Sequence, residues 1–203
     1  MDIQTILNHK DCPDKFAEHL TKEDIAFLFS LLSSKNDEIR YICFLTLQSR
    51  SRTHNDVYAY FDLLTQKLTN HNSYQRNIGL VLLAENIKWD KQDKFAAVYD
   101  EYAKHFNDKK FITSRQAIQN IPKWIAYRPD LMTNVAAKLM SIKLSQYKSS
   151  QSPLLLCDIF EALITIYKIQ PSDNIKDYLL KNLDTGILNS TNAKKFTKTL
   201  STL

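Results

Sequence analysis

The sequence predicts an all-α protein assembled from consecutive helix pairs. Three observations predict it. Apolar residues recur at helical spacing along nearly the whole chain, as in Ile25, Leu28, Phe29, Leu31 and Leu32, which fall on one side of a helix. Only two glycines, Gly79 and Gly186, occur in 203 residues, which leaves few tight hairpins and no glycine-rich phosphate loop. A two-helix unit returns after 36 and again after 39 residues, marked by Arg40, Arg76 and Arg115 near the start of successive second helices.

In chain order, short helices are expected near 2–9 and 13–20. Full pairs follow at 22–34 with 37–50, 55–70 with 73–88, 91–106 with 111–127, and 130–147 with 153–169. A weaker last pair covers 172–183 and 190–201. Asp37, Asn55, Ser73, Asp90, Ser152 and Ser172 are placed to cap helix starts, because their side-chain oxygens accept orphan backbone N–H groups. Pro129 and Pro171 fall in connections, and Pro153 suits a first helical position. Pro122 lies inside a helical pattern and is expected to kink or split that helix.

The repeat explains why these pairs belong together. One pair cannot bury its own apolar stripe, whereas stacked pairs share a continuous core. Each marker arginine is followed three residues later by Cys43, Gly79 or Ile118, and the apolar series continues at Leu47 and Leu83. A two-helix repeat of 36–40 residues has the size of a HEAT-like unit. The expected architecture is therefore an α–α superhelix, a HEAT/armadillo-like solenoid of about five helix pairs in a single domain. Residues 1–21 form N-terminal cap helices, 22–169 four helix-pair repeats, and 170–203 a C-terminal capping pair.

Composition narrows the function classes. Hydrophobic residues make up 44% of the chain, enough for a substantial core. The formal charge of +5 is uneven: residues 1–96 hold 12 basic and 13 acidic residues, residues 97–203 hold 15 and 9. A mildly basic second half suits an acidic partner or nucleic acid. Cys12, Cys43 and Cys157 are odd in number and far apart, which fits reduced thiols and a cytoplasmic setting. The opening MDIQTILNHKD lacks a basic start and a long apolar stretch, so no secretory leader is expected. No window approaches 18 uncharged apolar residues, so no membrane span is expected.

Several motifs are collinear with those of a known group: Val57-Tyr-Ala-Tyr-Phe61, Asn72-Ser-Tyr-Gln-Arg-Asn-Ile-Gly79, Asn86-Ile-Lys-Trp-Asp90, Ile112-Thr-Ser-Arg-Gln116, Tyr127-Arg-Pro-Asp-Leu131 and Leu144-Ser-Gln-Tyr-Lys148. Over roughly residues 35–170 the chain resembles small bacterial HEAT-like repeat proteins that often carry the label "SufBD protein". The resemblance implies an all-helical solenoid of about five helix pairs and no settled activity. The label points to iron–sulfur assembly, whose scaffold subunits are β-rich, and nothing in this chain looks like them.

The functional expectation is a non-enzymatic interaction module, without cofactor or metal, that binds a protein partner or an acidic segment of one on its concave inner-helix face. The candidate contact residues are Arg40, Arg76, Lys110, Arg115 and Lys123. The arginines also have an internal alternative: pairing with neighbouring repeats, for which Asp37, Asn72 and Asp108 are placed. The competing class is a DNA-binding or alkylpurine-glycosylase-like repair protein, suggested by Trp89 beside Asp90 and by Trp124. Such an enzyme needs aromatic platforms for a base and an acid for a developing sugar cation. The simpler expectation is that Trp89 packs at a helix end and Asp90 caps the next helix. His9, His19, His54, His71 and His105 form no metal-ligand spacing. Lys194, Lys195 and Lys198 form a basic stripe on a last helix that is expected to dock through Phe196 and Leu200 as a cap, the alternative being contact with nucleic acid or a membrane surface.

Overall fold

The computed structural model describes residues 1–202. About 76% of it is helical, and no strand occurs among the described residues. Two compact units divide the chain, Met1–Tyr99 and Asp100–Leu203.

The first unit contains α1 (Ile3–Asn8), α2 (Pro13–Glu18), α3 (Lys22–Leu31), α4 (Asp37–Thr53), α5 (Phe61–Leu68) and α6 (Ser73–Asn86), and it takes in the start of α7 (Lys94–Lys104). A 3-10 turn, Asp56–Tyr60, leads into α5, and another, Ile87–Trp89, ends α6. α4 is the hub, packing on α1, α2, α3 and α6. Its buried face carries Ile39, Ile42, Cys43, Thr46 and Leu47, at the 3.6-residue period of a helix. α6 is buried all round over residues 78–87, as its unbroken run Ile78-Gly-Leu-Val-Leu-Leu-Ala84 requires.

The second unit contains the end of α7, then α8 (Phe111–Gln119), α9 (Ile121–Trp124), α10 (Met132–Met140), α11 (Ser152–Ile169), α12 (Asp173–Leu183) and α13 (Ser190–Leu200). Here α11 is the hub, against α8, α9, α10 and α12. Pro122 splits the expected helix 111–127 into α8, α9 and a 3-10 turn Ile125–Tyr127, because it offers no N–H to continue the ladder. Phe196 of α13 docks on Phe160 of α11, ring centroids 4.9 Å apart.

Two expectations need correction. The helix expected over 130–147 ends at Met140. The Ser141 N–H closes on the Ala137 and Lys138 carbonyls, and the chain continues through a 3-10 turn Leu144–Gln146. Ile142 is buried and prolonged the apolar pattern from an irregular segment. The caps also shift by one. Asn36 and Asn72, not Asp37 and Ser73, have extended backbone and accept the first N–H groups of α4 and α6. Thr21 and Asp24 form a reciprocal capping box at α3, a pair the sequence reading missed.

Gly79 has a specific packing role. A Cβ built there would lie 2.9 Å from the Leu64 carbonyl oxygen and 3.0 Å from the Lys67 Cβ, so hydrogen is what lets α5 approach α6 this closely. Gly79→Ala is expected to destabilise the protein by about 1–3 kcal/mol through overpacking, despite the better helix propensity of alanine. Urea denaturation checks the sign: a stabilised variant would mean that α5 yields at no cost.

Candidate functional site

The marker arginines are all engaged internally. Arg40, in the first turn of α4, donates from Nη1 to the Ser34 carbonyl at 2.7 Å and from Nη2 to Asp37 Oδ1 at 2.5 Å. Its guanidinium lies 4.3 Å from the Tyr74 ring centroid. Arg76 repeats the device on α6, donating from Nη1 to the Asn70 and His71 carbonyls at 2.9 and 3.1 Å. Both therefore lock the turn that joins the two helices of a pair. Arg115 does something else. It reaches from α8 to α11, with Nε to Asp158 Oδ2 at 2.5 Å and Nη2 to Oδ1 at 3.0 Å.

Of the acceptors expected for these arginines, Asp37 takes Arg40. Asn72 caps α6. Asp108 binds the His105 ring at 2.9 Å and the Lys110 N–H at 2.7 Å. Lys110 precedes α8 and Lys123 lies in α9, both exposed.

The tryptophan–acid motif is also internal. Asp90 Oδ1 accepts the Tyr58 hydroxyl at 2.6 Å and the Lys94 N–H at 2.9 Å, while Oδ2 accepts the Phe95 N–H at 2.7 Å. The carboxylate thus caps the start of α7. Burial, and then the Asp90 carboxylate, push the Tyr58 hydroxyl well above the usual phenol range. Trp89 donates from Nε1 to the Ser51 carbonyl at 2.9 Å. Trp124 has no exposed surface and meets Tyr102 edge to face, centroids 5.9 Å apart.

A set of bonds at repeat spacing emerges that no motif had signalled. Asn86 donates to Ser51 Oγ, 35 residues away, Lys88 to the Arg52 carbonyl (36), Gln48 to Glu85 (37) and Trp89 to the Ser51 carbonyl (38). In the second unit, Gln146 to Asn107, Tyr147 to the Asp108 carbonyl and Gln119 to Asp158 each span 39 residues, and Arg115 to Asp158 spans 43. Except for the 43 of Arg115 to Asp158, these separations of 35–39 residues lie close to the 36- and 39-residue spacing of the arginines. Within the helices they join α4 to α6 and α8 to α11; those of Lys88 and Trp89 leave the turn after α6, and those of Gln146 and Tyr147 link the segments that precede α11 and α8.

Arg50 is the other residue the sequence did not single out. It is 7% exposed, ends α4, and donates from Nη1 to the Ala17 and Glu18 carbonyls, both at 2.9 Å. Its Nε and Nη2 grip Asp56, at 3.0 and 2.6 Å to Oδ2. One guanidinium thus terminates α2, holds α4 and anchors the turn before α5. Its sequence signal is faint: it stands ten residues after Arg40, as Asn86 stands ten after Arg76.

No group of three His, Cys, Asp or Glu suited to a metal ion occurs among the described residues. The cysteines are free, with Cys43 fully buried. Burial pushes the Cys43 thiol up to about 12 and raises Cys157 as well. In native protein at pH 8, a thiol reagent is expected to spare Cys43 until denaturant is added. Labelling of Cys43 at the same rate in native and unfolded protein would contradict this burial.

Two exposed aliphatic side chains of the second unit lie on neighbouring helices, α8 and α11. Ile112 is 55% exposed and Leu154 44%. No helix among the described residues is long and apolar enough to cross a membrane. No protein-family model, curated protein sequence or solved structure matches the chain.

Proposed function

We propose that this protein is a non-enzymatic interaction module: a HEAT-like solenoid of helix pairs in the cytoplasm that receives a protein partner on its inner, second-helix face. The observation that carries this reading is the set of bonds at repeat spacing. Stacked repeats place equivalent second helices side by side, and polar side chains one repeat apart then meet. α4 with α6, and α8 with α11, have that relation. The proposal keeps the chain with the HEAT-like group it resembles.

The five basic candidates divide by place: the arginines bond to neighbouring chain, and Lys110 and Lys123 stand exposed. Arg40, Arg76 and Arg115 set helices, and Lys110 and Lys123 face a partner. Absence of chemistry is supported by the fate of the reactive-looking groups: Asp90 is a cap, Trp124 is core, and Cys43 is buried. A repair function would need Asp90 and a tryptophan open to a base, and both are used internally.

The test has two arms. Duplex and single-stranded DNA are titrated from low to physiological salt, and partners are captured by wild type and by the Lys110→Glu/Lys123→Glu variant. The expected result is no salt-steep DNA binding and a captured protein that the variant loses while its circular dichroism is unchanged. Tight DNA binding with a steep salt dependence would replace this reading with the nucleic-acid one.

A further inference from the structure

We infer that the α8–α11 face binds an acidic, amphipathic segment of a partner protein, with the segment's apolar side chains seated between Ile112 and Leu154. This rests on the interaction-module reading and names the partner's chemistry.

The two helices run in the same direction. Gln146 and Tyr147, just before α11, bond to Asn107 and Asp108, just before α8. Further along, α9 packs on α11. The Arg115–Asp158 bonds fix the register between them. Ile112 lies one turn before Arg115, and Leu154 one turn before Asp158. The two exposed aliphatic side chains therefore stand at the same level on neighbouring helices.

The α8 side of the pair carries charge of one sign. Residues 109–127 contain no Asp or Glu, but they carry Lys109, Lys110, Arg115 and Lys123. The only acids of α11, Asp158 and Glu161, are already matched. Asp158 accepts from Arg115 and Gln119, and Glu161 meets Lys195 at 2.8 Å. Lys110 flanks the aliphatic pair at one end, and Lys123, on α9, lies beyond Gln119 at the other. α8 itself has nine residues, about 13 Å at 1.5 Å per residue, which suits two to three turns of helix.

An apolar centre, a neutralised polar middle and a cationic rim make the anatomy of a protein interface. A single nucleic-acid strand would instead need aromatic platforms in the groove and a continuous cationic track. Ile112 and Leu154 are aliphatic, the nearby Phe111 ring is engaged by Tyr147 and Arg115, each at 5.7 Å, and the middle charge is spent on Asp158.

The experiment pans a displayed library of random 16-residue peptides against the full chain, then measures the enriched peptides by fluorescence anisotropy. The expected peptides carry an excess of Asp and Glu with at least two large apolar residues. Their affinity is expected to fall tenfold or more in Ile112→Asp and in Leu154→Asp, and several-fold in Lys123→Glu with a weaker salt dependence. Both aliphatic positions are exposed, so the variants should keep wild-type denaturation midpoints. Peptides without acidic excess, peptides indifferent to these variants, or no enrichment would each overturn the inference. If indifferent peptides still compete with a captured partner, the module reading survives and this face is wrong. If duplex DNA displaces the peptides and itself depends on the same lysines, the ligand is nucleic acid and both readings fall.

Discussion

Replacing Arg50 by methionine is expected to lower folding stability by about 3 kcal/mol, at the lower end of what breaking a buried ion pair costs, since Asp56 keeps some solvent. The loss has two sources. Asp56, whose side chain is 21% exposed, keeps its charge and loses all three guanidinium bonds. The Ala17 and Glu18 carbonyls at the end of α2 lose their donor, and an unsatisfied buried carbonyl carries its own desolvation penalty. Methionine retains most of the aliphatic packing, so the effect reports the polar clasp rather than a cavity. Urea denaturation followed by circular dichroism measures it. Arg50→Met/Asp56→Asn should recover part of the loss, because it removes the stranded charge along with its partner. A single variant within 0.5 kcal/mol of wild type would mean that the clasp adds nothing beyond packing.

Replacing Trp124 by alanine is expected to cost about 3–5 kcal/mol, the range for deleting a fully buried large aromatic side chain. Trp124 has no exposed surface and closes against Tyr102, which itself meets Phe106 edge to face. The same substitution discriminates between roles. An aromatic platform for a base would be partly open, and its loss would reduce binding while leaving stability nearly intact. Trp124→Ala is expected to do the reverse, with a large drop in the denaturation midpoint. Retained stability would reopen the base-binding interpretation of the tryptophans.

The helices were legible because burial imposes a 3.6-residue period whatever the partner helix is. The stripes of α4 and α11 are visible in sequence for that reason. Helix ends were less legible. Two adjacent capping residues, Asn36 and Asp37, are chemically equivalent in sequence, and only backbone dihedrals decide between them. Ile142 kept the apolar pattern going past the end of α10, because irregular chain also buries apolar residues.

The site was legible in part. The 36- and 39-residue spacings of the arginines signalled repetition, and the polar bonds do run at that spacing. Which acceptor each arginine takes was not legible. Arg40 and Arg76 turn back six residues to a carbonyl, while Arg115 crosses to Asp158. A carbonyl acceptor leaves no trace in sequence, and Asp158 looks like any acid on an apolar helix. Exposure of Ile112 and Leu154 was equally hidden, since both sit in apolar helical patterns that read as core.

The central claim is that the repeated arginines fix helices while a partner binds elsewhere on the second-helix face. A double-mutant cycle between Arg115 and Asp158, read by urea denaturation, tests it most directly. The account predicts a coupling energy of about 1–3 kcal/mol, as for a bidentate pair of which Asp158 is 6% exposed. It also predicts that each single variant loses stability by a similar amount. Coupling near zero, with Arg115→Ala as stable as wild type but unable to bind its partner, would make Arg115 a contact residue and contradict the account.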